Sequence, residues 1–419
     1  MDFDSQIFRK LSRRYSTKSD IRMVRRPRIS NFYLKKGDKY EYVAYRLTSM
    51  KPYFLELLGI EDFSPVNSIS STSFYTYGII MNPFGHKLDS QNTFIASNID
   101  GSNDVVVKLN LSHLRRYSVF PGQIVAVKGK NITGGEITVE TLHCIPVVDI
   151  NEEKDGKEEK HNQPSIVAFS GPYGFASEFD VLDRILMEEA DVLILVGPFI
   201  SSAHGSEDHS PASMMEKEFV PRIRRWLNER PGSKVVLVPS VNDITCLGVF
   251  PQGPIDIDEE RIVCTSNPCE FFLNEFLVCV SSLDTPLEIS SEECFHDSGL
   301  ESEDDACGNL LFGGDRLKRI AYHLIFQRTF LPVFPSRNVV SYSVPENMSM
   351  DTAPDIYIVV SRLKHFSRDV GPSVVVNLGL QTGKTEKVAC HIRLPEAEEP
   401  KKFSVEFVDL EISMPRENK

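Results

Sequence analysis

Nothing in this 419-residue chain pairs cysteines at metal-binding spacing: eight Cys are scattered along it and no Cys-x-x-Cys occurs. Cys264 and Cys269 flank a turn and could begin a metal site, but no neighbouring residues complete four ligands. No apolar run approaches the ~18 residues that a membrane helix needs. The N-terminus (MDFDSQIFRK) has acidic residues where a signal peptide is basic, and no apolar stretch follows it. The chain is therefore expected to stay in a reducing interior, with its thiols unlinked. No Gly-x-Ser-x-Gly elbow exists, which removes that route to serine hydrolysis. Gly129-Lys130 and Gly383-Lys384-Thr385 hold the last letters of a phosphate-binding loop. Ile124 and Leu378 stand where its first glycine belongs. An excess of positive charge is also missing, since the formal net charge is −13. Tight duplex binding draws on Lys and Arg neutralising phosphates, so gripping nucleic acid is not the expected main task. The one basic stretch, Arg9 to Lys39, reads as a flexible arm. Its sharper readings are a nuclear-import signal around Arg22, Arg25, Arg26 and Arg28, or a weak nucleic-acid contact.

What is present falls into segments. Residues 1–38 form the basic arm. From Lys39 to Leu58, Tyr40, Val43, Leu47, Met50, Phe54 and Leu57 recur at intervals of three or four, which predicts a helix interrupted near Pro52. A Ser-rich stretch to residue 73 reads as a linker. Over 74–150, five β-rich runs (FYTYGIIM, NTFIASNI, DVVVKLNL, GQIVAVKGKNI and EITVETLHCI) are separated by Asn-Pro, Asp-Gly, Pro-Gly and Gly-Gly turn signals. Five strands in that length fit an OB-type barrel. Residues 151–164 are a charged linker. Beyond them IVAF, VLILV and VVLV alternate with amphipathic helices at Phe179–Glu189 and Met215–Leu227, which predicts a mostly parallel sheet with crossover helices. Further strands are expected at Phe276–Val280, Ile356–Val360, Val374–Val376, VACHIRL and FSVEFVDLEI. An acidic insertion at 292–305 (EECFHDSGLESEDD) is expected to be disordered. The fold class is thus mixed, α/β and β, within residues 165–419 for the α/β part.

Loops at the carboxyl ends of parallel strands are where ligands bind in open α/β sheets. Here they read Ser170-Gly171-Pro172-Tyr173, Gly197-Pro198-Phe199 and Pro239-Ser240-Val241-Asn242-Asp243. The layout resembles the calcineurin-like metallophosphoesterases, whose corresponding loops carry the Asp, Asn and His ligands of two metal ions. By that resemblance this domain is a calcineurin-like α/β sandwich lacking its metal ligands. Tyr173 and Pro198 stand in ligand loops, Asn242 is followed by Asp243 and not by histidine, and Asn377-Leu378-Gly379-Leu380 has none. Pro and hydrophobic side chains cannot coordinate a hard cation, and one Asp cannot hold two. His204, His209, His296, His365 and His391 lack paired ligand spacing and are expected to have packing or surface roles. No catalytic, cofactor-binding or metal-ligating residue is therefore expected.

An OB-type barrel followed by such a domain resembles the B (small) subunits of the eukaryotic replicative DNA polymerases, most closely those of polymerase alpha. The resemblance rests on an ordered run of short stretches. They include Arg46-Leu47-Thr48, Tyr117 to Gln123, Gly197-Pro198-Phe199, Gly314-Asp315-Arg316, Gln327-Arg328-Thr329, Pro332-Val333-Phe334-Pro335 and Pro354-Asp355-Ile356. The delta and epsilon small subunits tend to carry Gly-Asn after the second strand, so Gly197-Pro198 points to alpha. The match spans roughly 39–419. The helical N-terminal domain of larger members is not expected within it, and Leu378-Gly379-Leu380-Gln381 departs from the usual Pro-Gly form. The resemblance implies a non-catalytic accessory subunit in the nucleus. It would bind the C-terminal domain of the polymerase alpha catalytic subunit and, through the complex, primase, with DNA contact weak or indirect. Two other readings remain. One is an active metal-dependent phosphodiesterase. The other is a single-strand binder using the charge of Lys108, Arg115, Arg116 and Lys128, with Tyr117 and Phe120 either as stacking aromatics or as core residues.

Overall fold

The computed structural model of the chain describes residues 19–24, 35–98, 105–144, 163–174, 179–200, 210–299, 315–381, 387–395 and 402–410. A short strand, β1 (Ile21–Met23), precedes helix α1 (Asp38–Leu58). Pro52 does not interrupt α1. It lies on the exposed side of the helix, as does Thr48, whose carbonyl has no amide partner at Pro52. The buried face of α1 is Tyr42, Arg46, Leu47, Met50 and Phe54, so Tyr40, on the expected stripe, is exposed.

The barrel is built from β2 (Ser70–Met81), β3 (Thr93–Ala96), β4 (Val106–Asn110), β6 (Ile124–Asn131) and β7 (Glu136–His143), with β5 (Arg116–Val119) outside it. It closes in the order β2-β3-β4-β7-β6, with β4 and β7 parallel and the other pairs antiparallel. The five runs with turn signals all became barrel strands, each with alternate residues pointing inward. Ile80, Ile95, Val107, Leu109, Val125, Val127, Ile137 and Val139 fill the interior. The first strand enters at Ser70, inside the stretch expected to be linker.

The second part begins with β8 (Ser165–Ser170), α2 (Asp180–Ile185) and β9 (Val192–Val196). Then come α3 (Pro211–Met214), a π-helical turn (Met215–Phe219), α4 (Val220–Glu229) and β10 (Lys234–Val238). β11 (Ile262–Cys264), β12 (Cys269–Leu273), β13 (Phe276–Ser281), α5 (Thr285–Glu292), β14 (Cys294–Asp297) and α6 (Arg316–Phe326) follow. The chain ends in β15 (Ile356–Val359), β16 (Phe366–Val370), β17 (Ser373–Asn377), β18 (Val388–Arg393) and β19 (Ser404–Asp409). Two six-stranded sheets result, β11-β10-β9-β8-β18-β19 and β1-β12-β13-β15-β17-β16. The mostly parallel sheet read from the alternation of strands and helices is one layer of the expected α/β sandwich, and both of its layers are mixed. The first sheet runs parallel from β11 to β8, with β18 and β19 added antiparallel at one edge. The second is parallel through β13, β15 and β17, with antiparallel strands at both edges. β9 explains its own continuous apolar run. Val192, Ile194 and Val196 face the layer between the sheets, while Leu193 and Leu195 face α2 and α4. The barrel and α1 pack on the outer face of the other sheet, through a core shared with α5 and α6.

Two expectations of disorder need correction. Ile21–Met23, inside the supposed flexible arm, pairs with β12. Cys294–Asp297, inside the supposed acidic insertion, pairs with β5. Residues 300–305, the 151–162 part of the charged linker, and His204 and His209 lie outside the described residues. No helix among the described residues is long and apolar enough to cross a membrane.

Candidate functional site

The loops after β8, β9 and β10 come together at one end of the first sheet. Tyr173 turns inward from the first loop and is fully buried. Its hydroxyl donates to the carbonyls of Phe169 (3.1 Å) and Val196 (3.0 Å). Its ring stacks on Phe199 of the second loop at 5.8 Å and meets Phe219, from the π-helical turn, edge-on at 5.5 Å. Phe199 and Phe219 are themselves 5.1 Å apart. Such pairs contribute about 0.5–1.5 kcal/mol each beyond burial. The third loop contributes Asp243, which is 3% exposed. Its Oδ2 accepts the Phe199 N–H, and its Oδ1 accepts the Thr245 N–H (3.0 Å) and hydroxyl (2.7 Å). Burial pushes the Asp243 carboxyl above its ordinary range, against those hydrogen bonds. The carboxylate therefore clasps one loop to the next. Asn242 beside it is exposed.

The late loop is engaged in the same way. Asn377 accepts the N–H groups of Ser361 (3.0 Å) and Gly379 (3.2 Å) and donates to the carbonyls of Leu363 and Lys364. Among the described residues no group of three or more His, Cys, Asp or Glu is placed to hold a metal ion. The histidines disperse: His296 lies by the Tyr117 ring, His365 against Phe407, and His391 3.3 Å from Glu188. Of the residues proposed for single-strand binding, Phe120 is fully buried and Tyr117 is 7% exposed, so neither offers a stacking face. Lys108 pairs with Glu136 and Arg116 with Asp297, and Lys128 lies 5.5 Å from the Tyr75 ring.

A second constellation joins the barrel to the sandwich. Arg46 of α1, 3% exposed, donates to the Gly122 carbonyl (2.8 Å), the Pro332 carbonyl (3.4 Å) and Gln327 Oε1 (3.1 Å). Gln327 also accepts the Ile124 N–H and returns a bond to the Ile124 carbonyl. The Tyr42 hydroxyl donates to Leu331, and the Phe334 N–H to Pro121. Nearby, Glu293 at the foot of α5 takes Arg319 of α6 (2.5 Å) and the Ser118 hydroxyl of β5 (2.7 Å). Ser118 also lies 2.7 Å from His323 Nε2. Sequence reasoning does not single out His323. Its only signal there is a histidine embedded in an apolar helical face, IAYHLIF.

Four of the stretches that carry the family resemblance, those around Arg46, Gly122, Gln327 and Pro332, therefore meet at this seam, although they lie up to some 290 residues apart in sequence. A family model for the OB domain of the DNA polymerase alpha B subunit matches residues 41–144, and one for the DNA polymerase alpha/epsilon B subunit matches residues 166–368. The chain belongs to the B-subunit family of DNA polymerase alpha. The DNA polymerase alpha B subunit from Mus musculus is 28% identical over 345 residues, covering 77% of this chain and 54% of the mouse protein. Its counterpart from Schizosaccharomyces pombe is 27% identical over 333 residues, covering 71% and 55%. The chain spans about half the length of these relatives. A crystal structure of a predicted phosphoesterase from Streptococcus pneumoniae aligns over 61% of this chain and 94% of that one, with 9% identity and a TM-score of 0.26. In this chain the seam joins the OB-type barrel to the two-sheet sandwich, and several of the family stretches converge on it.

Proposed function

We propose that this chain is a non-catalytic accessory subunit of the DNA polymerase alpha–primase complex. On this reading it scaffolds the catalytic subunit for initiation of DNA replication, in the nucleus. It binds the C-terminal domain of that catalytic subunit, reaches primase through the complex, and contacts DNA weakly or indirectly. The observation that carries the reading is the filled strand-end site. Tyr173, Phe199 and Phe219 close it with apolar surface, and Asp243 is engaged by backbone N–H groups. A sheet whose ligand loops are cross-tied in this way is a rigid surface. The parts would be a basic arm (1–38), a helical segment and lead-in (39–73), the barrel (74–150, entered at Ser70), a charged linker (151–164) and the sandwich (165–419).

Two measurements test this. Metal analysis of the purified protein, with a bis-p-nitrophenyl phosphate assay in manganese, is expected to give no stoichiometric metal and no turnover. Turnover abolished by Asp243→Ala would overturn the non-catalytic reading. A pull-down with the C-terminal domain of the polymerase alpha catalytic subunit is expected to retain this chain without DNA and across a salt series. A permanent partner buries on the order of 2,000 Å² or more, led by apolar anchors, and salt weakens that little. Binding driven by phosphate neutralisation would instead collapse between about 50 and 200 mM salt. Preference for the corresponding delta or epsilon domain would move the assignment to that polymerase.

A further inference from the structure

The outer edge of β12 is covered by a segment some 250 residues distant in sequence. Ile21, Arg22 and Met23 pair antiparallel with Leu273, Phe272 and Phe271. The contact extends beyond that ladder. The Val24 N–H donates to the Glu270 carbonyl (3.1 Å), the Asn274 N–H to the Asp20 carbonyl (2.9 Å), and the Asp20 N–H to Asn274 Oδ1 (3.0 Å). Side chains alternate as a strand requires. Ile21 and Met23 extend the apolar layer between the sheets beyond the buried Phe271 and Leu273. Arg22 points the other way, with its guanidinium 5.6 Å from the Phe272 ring centroid.

We propose that the edge of β12 is a strand-acceptor site, occupied in cis by residues 19–24. It would take in trans an extended peptide of aliphatic–cation–aliphatic pattern. Without an occupant, β12 presents a row of backbone donors and acceptors with uncovered apolar side chains, the surface that recruits an added strand. Main-chain bonds supply the affinity. The inter-sheet layer selects aliphatic residues at the first and third positions, and Phe272 selects a cation at the second. Three ladder pairs make a small contact, so the segment holds its place chiefly by being tethered, at an effective concentration in the millimolar range. A free peptide therefore competes poorly with the intact chain and well once the resident segment is disabled. The site is independent of the polymerase assignment and would stand if that assignment fell.

The test uses a labelled peptide spanning residues 17–27, titrated by fluorescence anisotropy. The two proteins compared are the full chain and the full chain carrying Ile21→Asp and Met23→Asp. The double variant is expected to bind the peptide saturably and at least tenfold more tightly than the unmodified chain. A peptide carrying the same two substitutions should not bind it. Hydrogen exchange supplies a second readout that does not depend on affinity. Protection of the Phe272 and Asn274 amides, which face the added strand, should be present in the unmodified chain, lost in the double variant and restored by the peptide. Equal binding to both proteins, no saturable binding to the double variant, or unchanged protection in it would each overturn the proposal.

Discussion

Gly122→Ala is expected to destabilise the protein by about 4 kcal/mol or more, among the largest effects a single methyl group can have. Two causes act together. Gly122 has φ +95°, a conformation that L side chains rarely adopt. A Cβ there would also lie 2.3 Å from the Phe334 nitrogen and 2.4 Å from the Pro332 oxygen. Those atoms belong to backbone, which cannot swing aside as a flexible side chain would. The displacement would pull the Gly122 carbonyl from Arg46 and the Pro121 carbonyl from the Phe334 N–H, loosening the barrel from the sandwich. Gly59 separates the two causes. It caps α1 at φ +61° with nothing within 4 Å of its virtual Cβ, so Gly59→Ala should cost only about 1–2 kcal/mol. Urea midpoints of both variants check this. Equal losses would show that the seam has room, and that backbone conformation alone sets the cost.

The same seam marks the limit of what the sequence reveals. Strands covered on both faces, such as VLILV, declare themselves as apolar runs, and the barrel strands declare themselves through the turns between them. The elements that escape are short strands, among them β12 (CEFFL) beside its neighbour β13, and edge strands decided by backbone pairing. β14 (CFHD) is too short to show a pattern, and its order comes from the ladder with β5 and the Arg116–Asp297 pair. β1 lies in a basic stretch and is held by β12, and β16 (FSRDV) buries only its end residues, with a polar middle at the sheet edge. For the site, the absence of ligands from the strand-end loops is legible residue by residue. What replaces them is not, because Phe219 reaches Tyr173 and Phe199 from a helix some 20 residues beyond the second loop. Arg46 and Gln327 stand in motif stretches whose role emerges only where the barrel and the sandwich share them.

Glu293→Ala should cost about 3–5 kcal/mol at neutral pH, because it leaves Arg319 buried without its carboxylate partner. It also leaves the Ser118 hydroxyl without its acceptor. The surrounding charges make this cluster acid-sensitive as well. Burial pushes Glu293 up, but the hydrogen bonds from Arg319 and Ser118 outweigh it and hold the carboxyl below its ordinary value. Its contribution is present above the unfolded value of 4.5 and is lost as pH falls through the lower folded one. His323 is driven the other way by burial, down to about 4 from 6.5, with the Glu293 charge opposing and Arg319 reinforcing. Between those two values the unfolded chain binds a proton that the folded chain refuses. Stability should therefore fall as pH drops below about 6.5, by at most about 3 kcal/mol at pH 4. His323→Gln keeps a side chain able to donate to Ser118 but removes the titration. Urea midpoints measured from pH 7 to pH 4 should fall steeply for the unmodified chain and clearly less so for His323→Gln. Parallel curves for the two would show that other groups carry the acid lability. A loss below about 1 kcal/mol for Glu293→Ala would show that Arg319 finds water on losing its partner.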